Sequence, residues 1–470
     1  MDKFRHIHIG AGKIGLGLIV PITYKCGFEV IILNKENDPS EKQKYEKNTF
    51  LASRKYYTLY ELEYIPSIKK PKAKNHDTVE YDSFFTFPEG TDRIDSRLQR
   101  LISSDPCPTL VTISVEIGNL KRIIPLLSRI MELHLLDYGV LKNKQFPIFV
   151  TACENGYRVT DRLKESLMKD PSSDRLKSQI KQFSDNKVLF INSLVDRVVP
   201  KDPVITGETL SMGVEQYYKW VIEISDIKSN IEDHKILKQQ LGNKVVFTSS
   251  EEFTGWEVKK YVCLNALHLA LGTLICWYKH FNNSISMMEA IEYLPEGLSI
   301  DIIQEKIKNI QEELSQAGCI LTKHSLSYEE VMDYNIEVLD RIKKMPDLYL
   351  RPFKRLKETR DLIEEESISG QKMALLNLLY NAKVKEVTSE RIQKEFSNKF
   401  EYYINRLSIY PFIHKLNERI SKPLFALCAE ETMNEDSTTF EAKKLYLFEI
   451  LVKIARIIEK MPSLPQNLNN

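Results

Sequence analysis

The sequence lacks an excess of charge of either sign. In a chain of 470 residues, 66 Lys and Arg balance 65 Asp and Glu, so the formal net charge is +1. Proteins that bind nucleic acid or anionic membranes carry basic surfaces, and this balance gives no support for either partner. The 43% hydrophobic and 28% charged content is that of an ordinary soluble globular protein, and the length predicts two domains or more.

The sequence also lacks paired cysteines and an apolar leader. The seven cysteines form no C-x-x-C pair, and the nine histidines lack the close spacing of metal ligands. The N-terminal residues MDKFRHIHIG show no charged leader followed by an apolar signal core. We therefore expect reduced thiols, no bound metal and a cytoplasmic location.

The stretch most similar to a membrane span contains polar residues. Between Lys260 and Lys279, 18 residues carry no formal charge, but Asn265 and His268 lie among them. On an α-helix, with Lys260 at zero, Glu257, His268 and Asn265 fall at roughly 60°, 80° and 140°. The shared face indicates a buried helix that presents chemistry. The alternative is a core helix whose Asn and His bind neighbouring backbone.

A glycine motif near the N-terminus indicates a dinucleotide-binding fold. A strand-like run, 4–9, leads into Gly10, Gly12 and Gly15 at the G-x-G-x-x-G spacing, and a helical stretch and a second strand, 29–33, follow. In this motif the first glycine permits a tight turn, the second lets the backbone approach a pyrophosphate, and the third allows close helix–strand packing. We expect coenzyme contacts from the turn and from Ser114, near the end of a later strand. The residues that we assign to the turn are Gly10, Ala11, Gly12, Lys13, Ile14 and Gly15.

The ribose position departs from the usual pattern. An acidic residue commonly ends the second strand, where it binds the adenosine ribose and repels a 2′-phosphate. This chain has Asn34 there, followed by Lys35. Asn34 can still form a hydrogen bond, so we expect NAD, and NADP stays open because Lys35 could approach a phosphate. Lys35 as a solvated surface residue is the other interpretation.

The pattern of elements predicts an α/β domain followed by a mainly helical one. Strand-like runs at 109–115, 146–152 and 187–193 alternate with helical patterns, which indicates a mostly parallel sheet in a Rossmann-type domain. The Pro-bounded stretch VVPKDPVITGE suggests domains of 1–203 and 204–470. The segment 38–82 fits neither pattern and is interpreted as an insertion. Amphipathic helices are expected at 302–318, 327–344, 372–382 and 440–460.

Five motifs in order carry a resemblance to a known family. KYVCLNALH, at 260–268, has the form K-x-x-x-x-N-x-x-H, and it follows HIGAGKIGLG, TACENGYR, NSLVDRVVP and VEQYYKWVIE. This set resembles the long-chain polyol dehydrogenases, also called the mannitol dehydrogenase family. It is most similar to the mannitol-1-phosphate 5-dehydrogenase branch. The resemblance covers about residues 5 to 280 and continues weakly beyond.

The resemblance implies an NAD-dependent oxidoreductase for a small polyol or its phosphate. Lys260 matches the family's general base, which needs a lowered pKa. Asn155 and Asn265 match residues that hydrogen-bond the developing alkoxide. His268 matches a residue that orients the substrate oxygen, and Glu257 would relay the proton or simply pair with a lysine.

Two other matched residues and two departures qualify the resemblance. Asp196 and Arg197 are interpreted as structural. The usual arginine of the glycine motif is Leu16 here, and the region that would hold the substrate phosphate cannot be aligned. The cations available there are Arg351, Lys354, Arg355 and Arg360. The sequence leaves open another polyol or sugar acid as substrate, a catalytically silent dinucleotide-binding paralogue, and a monomer or a small homo-oligomer.

Overall fold

The structure is a computed structural model and describes residues 3–65, 70–115, 117–136, 146–154, 158–170, 173–182, 187–199, 203–224, 231–267, 300–321 and 326–344. The chain divides into two compact units, Met1–Glu63 with Pro71–Phe253, and Tyr64–Lys70 with Thr254–Asn470. The first unit includes strands beyond residue 203, which complete its sheets. The domains of 1–203 and 204–470 stay a prediction.

The described strands all precede residue 250. They are β1 (Arg5–Ile9), β2 (Glu29–Lys35), β3 (Tyr56–Ile65), β4 (Lys70–Glu80), β5 (Ser83–Phe87), β6 (Thr109–Ile113), β7 (Ile148–Ala152), β8 (Val188–Phe190), β9 (Ser193–Asp196), β10 (Val204–Thr206), β11 (Thr209–Glu215), β12 (Lys219–Glu223) and β13 (Val246–Thr248).

The helices fall into an N-terminal set and a later set. The first set is α1 (Val20–Lys25), preceded by a π-helical turn Gly15–Ile19, α2 (Lys42–Arg54), α3 (Ser96–Ser104), α4 (Leu120–Leu136), α5 (Val159–Lys169), α6 (Asp174–Gln182) and α7 (Ile231–Leu241), with short 3₁₀ turns at Ile117–Asn119 and Gly242–Lys244. The later set is α8 (Ser250–Val258), which continues as a π-helix Lys259–Ala266, then α9 (Ile300–Leu321) and α10 (Tyr328–Lys344).

A six-stranded parallel sheet forms the centre of the first unit. Its order is β5–β2–β1–β6–β7–β8, and every adjacent pair is parallel. Successive side chains of a strand point to opposite faces, and both faces are covered. Ile7 and Ile9 of β1 pack in a core with α3, α4 and α5, whereas α1 and residues of β3, β11 and β12 contribute to the core on the other face. The predicted Rossmann-type domain is confirmed.

The first unit contains two smaller sheets, and the first of them includes strands from the segment that the sequence left unexplained. The first has the order β10–β11–β3–β4, and β11 runs parallel to β3. The second has the order β13–β12–β9. The 38–82 segment thus contributes α2 and two strands to the first unit, and β11, after residue 203, pairs with β3.

The described part of the second unit is helical. The predicted helices at 302–318 and 327–344 are observed as α9 and α10, which contact each other and the π-helix Lys259–Ala266. Gly318 of α9 allows a close approach to α10, because a Cβ there would lie 2.8 Å from Cγ1 of Val331. The helices expected at 372–382 and 440–460 lie outside the described residues.

Candidate functional site

The glycine motif forms a tight turn between β1 and the first helix. Gly10 has a φ of +109°, and a Cβ there would lie 2.3 Å from the carbonyl oxygen of Ser114. A Cβ on Gly15 would lie 2.1 Å from Nε2 of His8 and 2.5 Å from the carbonyl oxygen of Gly10. A Cβ on Gly12 would meet its nearest heavy atom at 3.9 Å, so space remains beside that residue. Gly10 and Gly15 therefore have the structural roles expected of them, and contact with a coenzyme stays a prediction.

Three side chains from different elements hold the peptide groups of this turn. Nε2 of His8 lies 2.9 Å from the carbonyl oxygen of Gly10. The amide of Ala11 donates to Oδ1 of Asn34 over 3.1 Å, and the carbonyl of Ala11 accepts from Nζ of Lys47 over 2.8 Å. The backbone of the turn is consequently fixed from β1, β2 and α2. Such preorganisation lowers the entropy lost when a ligand binds.

A buried polar chain extends from the turn into the sheet. Oγ1 of Thr112 lies 2.6 Å from Nδ1 of His8 and 2.7 Å from Nε2 of His6, whose Nδ1 lies 2.7 Å from Oγ1 of Thr23. A carbonyl can only accept, so Nε2 of His8 must donate to Gly10, and its Nδ1 then accepts from Thr112. With both rings neutral, the single hydroxyl proton of Thr112 is thereby used, so Nε2 of His6 donates to Thr112 and its Nδ1 accepts from Thr23, whose hydroxyl oxygen also lies 3.2 and 3.1 Å from the carbonyl oxygens of Ile19 and Val20. Each hydrogen bond from Thr23 through His6, Thr112 and His8 to Gly10 then has an assigned direction.

These hydrogen-bond directions belong to the neutral form of both histidines. Burial lowers the pKa of His8 to about 4, against a smaller opposing effect of the Gly10 carbonyl. Burial also lowers the pKa of His6 well below its ordinary value, with a further contribution from His8. The hydrogen-bond directions and the desolvation of both rings therefore favour the same protonation state.

Asn34 is engaged inside the protein. Besides its bond from the Ala11 amide, its Nδ2 donates to Oδ1 of Asn48 over 2.8 Å, and Nδ2 of Asn48 donates to the carbonyl of Lys35 over 3.0 Å. The side chain expected to meet the ribose is thus part of the support of the glycine turn. Lys35 is half-buried beside it.

The other residues assigned to the coenzyme lie around the same turn. The amide of Ser114 donates to the carbonyl of Ile9, and its buried Oγ has no hydrogen-bond partner among the described residues. Lys13 is half-buried, and Ile14 packs against the core. Leu16, at the family's arginine position, is fully buried. Contact between Ser114 and a coenzyme stays a prediction.

The structural interpretation of Arg197 agrees with its contacts. Its Nη1 donates to the carbonyl of Gly17 over 2.8 Å, and its Nε donates to the carbonyl of Glu215 over 3.0 Å. It thereby ties the first helix to β11. The neighbouring Asp196 is buried.

The helix that carries the KYVCLNALH motif changes type where the motif begins. Ser249 and Glu252 exchange hydrogen bonds with each other's backbone at the start of α8, and the π-helix starts at Lys259. Hydrogen bonds of a π-helix join residues five apart. The angle of roughly 140° around the helix axis that an α-helix would place between Lys260 and Asn265 therefore does not apply. The backbones of these two residues lie about one π turn apart. π-helical segments are rare and occur frequently at functional sites.

Lys260 is buried, with 4% of its surface exposed, and Glu257 is 1% exposed. The adjacent Lys259 has a different environment, because its Nζ lies 5.2 Å from the ring centre of Trp256 and 5.5 Å from that of Tyr334. Lysine is almost never fully buried in proteins unless it is paired. Lys260 is therefore the unusual member of this pair of lysines.

Several predicted site residues cannot be located. Asn155, His268 and the cations at 351–360 lie outside the described residues, and only the backbone of Asn265 is described. The structure describes Arg158, which ends the TACENGYR motif, at a φ of +42°. Its guanidinium binds both Asp161, at 2.7 Å, and Glu223, at 3.0 Å.

Sequence reasoning missed the side chains that support the turn. His6 and His8 had a signal, because two polar residues alternate with isoleucines in a strand of a parallel sheet, which is normally apolar throughout. Lys47 had none, because it lies on a helix of the segment that could not be interpreted.

Residues 4–235 match the family model described as the mannitol dehydrogenase Rossmann domain. These residues belong to the mannitol dehydrogenase family. The resemblance indicated by the ordered motifs is therefore confirmed, and the mannitol dehydrogenase match ends within α7, beyond the boundary expected at residue 203.

Individual relatives extend past that domain. The mannitol-1-phosphate 5-dehydrogenase of Thermoanaerobacter pseudethanolicus is 23% identical over 337 residues, which cover 72% of each chain. The enzyme of the same name from Aureobasidium melanogenum is 25% identical over 342 residues, or 73% of each chain.

Solved structures show the same fold at lower identity. Pseudomonas fluorescens mannitol 2-dehydrogenase, in a ternary complex with NAD and D-mannitol, has a TM-score of 0.51 and 14% identity, over 98% of this chain and 95% of that one. A substrate-free D-sorbitol dehydrogenase has a TM-score of 0.53 and 16% identity, over 97% and 95%.

The described residues show neither a membrane-spanning helix nor a cluster of metal ligands. They contain no helix that is long and apolar enough to cross a membrane. They also contain no group of three or more His, Cys, Asp or Glu side chains placed to hold a metal ion.

Proposed function

We propose that this chain is a nicotinamide-dependent oxidoreductase that interconverts a sugar alcohol phosphate and a keto-sugar phosphate. The first pair to test is mannitol 1-phosphate and fructose 6-phosphate. The observation that carries the proposal is the buried Lys260 at the start of a π-helix, in a chain whose first half belongs to the mannitol dehydrogenase family. A desolvated lysine is a suitable general base because burial favours its neutral form.

The proposed roles divide the reaction among a few side chains. Lys260 takes the hydroxyl proton when the alcohol is oxidised and returns it when the ketone is reduced. Asn265 and Asn155 donate hydrogen bonds to the oxygen as it gains negative charge, which preorganised donors stabilise. His268 orients the same oxygen, and Glu257, one helical turn before Lys260, passes the proton towards solvent.

The glycine turn supports the coenzyme part of the proposal. Its peptides are fixed by three side chains, Gly12 has space beside it, and the Ser114 hydroxyl has no described partner. When bound, the nicotinamide accepts or supplies the hydride. The resemblance favours NAD as this coenzyme.

The phosphate on the substrate rests on the relatives that bear the name mannitol-1-phosphate 5-dehydrogenase. A second candidate is a dehydrogenase of free polyols, because the mannitol 2-dehydrogenase structure shares the fold over nearly the whole chain. A site built for a charged group discriminates strongly against a neutral analogue, since its cations are left unpaired.

The test is a substrate panel followed at the nicotinamide absorbance. Fructose 6-phosphate, fructose and related ketoses are offered with NADH and with NADPH. We expect kcat/KM for fructose 6-phosphate to exceed that for fructose by about 10³-fold, which corresponds to about 4 kcal/mol. Equal activity on both sugars would favour the free-polyol candidate. Absence of turnover with a bound dinucleotide would point to a silent paralogue.

A further inference from the structure

A proline interrupts the backbone hydrogen bonds of the first helix. The π-helical turn Gly15–Ile19 runs directly into α1, and Pro21 is the second residue of α1. The amide of Val20 donates to the carbonyl of Gly15, five residues before it. The next carbonyl in this π pattern is that of Leu16, and its donor would be residue 21. Proline has no N–H, so the π pattern leaves the Leu16 carbonyl without its backbone donor.

The same proline affects the carbonyl of Gly17. In an α-helix this carbonyl would accept from the residue four positions later, which is again Pro21. Leu16 and Gly17 are both buried. A buried carbonyl that lacks a partner destabilises the fold, so these two carbonyls need donors from outside the helix.

Two side chains supply these donors. Oη of Tyr57, in β3, donates to the carbonyl of Leu16 over 2.6 Å, and Nη1 of Arg197, just after β9, donates to the carbonyl of Gly17 over 2.8 Å. Tyr57 is fully buried, and this burial raises the pKa of its hydroxyl well above the ordinary value. The hydroxyl therefore keeps its proton and stays a donor.

The small sheet β10–β11–β3–β4 packs directly on the turn. A Cβ on Gly17 would lie 2.9 Å from Cγ2 of Val199 and 3.1 Å from Sδ of Met212, in β11. Nε of Arg197 donates to the carbonyl of Glu215, at the end of β11. Since β11 pairs with β3, both donors to the helix belong to one supporting structure.

We infer that Tyr57 and Arg197 are positioning residues for the coenzyme. The π-helical turn begins at Gly15, the last glycine of the motif, and in dinucleotide-binding domains the amides at this helix start face the pyrophosphate. By holding the carbonyls of Leu16 and Gly17, the two side chains fix the peptides that directly follow these amides. Preorganised groups lose less entropy when a ligand binds. The inference rests on the proposed function only in taking the ligand to be a nicotinamide dinucleotide.

The test measures coenzyme binding without catalysis. The full chain is titrated calorimetrically with NADH and with NADPH, and the one that binds the wild type more tightly is used for every variant. Tyr57→Phe removes only the hydroxyl, and Arg197→Met removes the guanidinium. We expect each to raise the dissociation constant about 10-fold, which corresponds to about 1.4 kcal/mol, because the unpaired carbonyl shifts the turn. In turnover assays KM for the coenzyme should rise while kcat is unchanged.

Tyr81→Phe is the matched control. Oη of Tyr81 donates to the carbonyl of Leu51 over 2.6 Å, and Tyr81 is likewise buried. Leu51 lies in the last turn of α2. The variant should therefore lose stability to urea, as Tyr57→Phe does, but keep the dissociation constant of the wild type.

A second change tests the role of the proline. Pro21→Ala supplies the missing N–H, which a π-helix directs to the carbonyl of Leu16. Combined with Tyr57→Phe, it should recover most of the lost affinity. A general loss of packing around Tyr57 would not be repaired in this way.

The outcomes separate the inference from the proposed function. Unchanged affinity in Tyr57→Phe and Arg197→Met would overturn the inference alone, as would an equal loss in Tyr81→Phe or no recovery with Pro21→Ala. Failure of the wild type to bind either dinucleotide would overturn the inference and the proposed function together. Weakened binding in the two variants, without turnover of any ketose by the wild type, would uphold the inference and defeat the proposed dehydrogenase activity.

Discussion

Replacement of Thr112 by valine should destabilise the first unit strongly, whereas the same change at Thr151 should not. Thr112 of β6 and Thr151 of β7 face each other in register, and both are fully buried. The Thr112 hydroxyl binds ring nitrogens of His6 and His8 at 2.7 and 2.6 Å. The Thr151 hydroxyl has no hydrogen-bond partner among the described residues.

The magnitude follows from the number of polar atoms left unpaired. A buried donor or acceptor without a partner costs about 1–3 kcal/mol, so Thr112→Val, which strands two ring nitrogens, should lower the free energy of unfolding by about 2–5 kcal/mol. Thr151→Val strands none and should change it by less than about 1 kcal/mol. Thr112→Ser keeps the hydroxyl and should recover most of the loss.

Urea unfolding at pH 7.5, followed by circular dichroism, measures all three variants. Nucleotide titration of Thr112→Val provides a second readout. The row of hydrogen-bonded side chains that contains Thr112 ends at the Gly10 carbonyl, so disrupting these hydrogen bonds should also weaken coenzyme binding. If the two valine variants agreed within about 0.5 kcal/mol, the spread of ordinary surface substitutions, the assigned hydrogen-bond chain would be refuted.

Two further predictions concern the same turn. Burial lowers the pKa of His8 from 6.5, the value for the unfolded chain, to about 4 in the folded chain. As the pH falls from 6.5 towards 4, the unfolded state therefore binds more protons than the folded state. The free energy of unfolding that is present above pH 6.5 is lost over that window. Between pH 7.5 and pH 5, His8 should lower the free energy of unfolding by about 2 kcal/mol. Urea unfolding should show a smaller loss in His8→Gln, whose amide still donates to the carbonyl of Gly10. Identical losses in the wild type and the variant would contradict the assignment. Gly15→Ala should destabilise the fold by about 1–3 kcal/mol through overpacking and should weaken coenzyme binding. Gly118→Ala, whose Cβ would meet nothing within 4 Å, should do neither. Equal effects of the two variants in thermal unfolding and nucleotide titration would contradict this prediction.

The α/β half could be predicted well because its signals are local. Apolar runs such as 109–115 and 146–152 can be buried on both faces only in a covered parallel sheet, and the glycine spacing marks the turn after β1. The pairing of β11 with β3 could not be predicted, because it joins residues far apart in the chain. Such long-range pairing leaves no local pattern.

The candidate site was predictable in residue type more than in arrangement. The burial of Lys260 agrees with the run of uncharged residues around it. The π-helix, which α9 and α10 contact, was not predicted, because the helical periodicity was read with α-helical geometry alone. The engagement of Asn34 by Ala11 and Asn48 likewise depends on α2, which the sequence did not place.

The most direct test of the central claim compares two adjacent lysines. Lys260→Met and Lys259→Met are assayed for ketose reduction and for nucleotide binding, using the best substrate and coenzyme of the wild type. A general base contributes about 10²- to 10⁴-fold to the chemical step, so Lys260→Met should lose kcat by that factor with unchanged nucleotide affinity. Lys259→Met, which removes a cation resting on Trp256 and Tyr334, should retain kcat within a few-fold. Full turnover in Lys260→Met, or equal losses in both variants, would contradict the account.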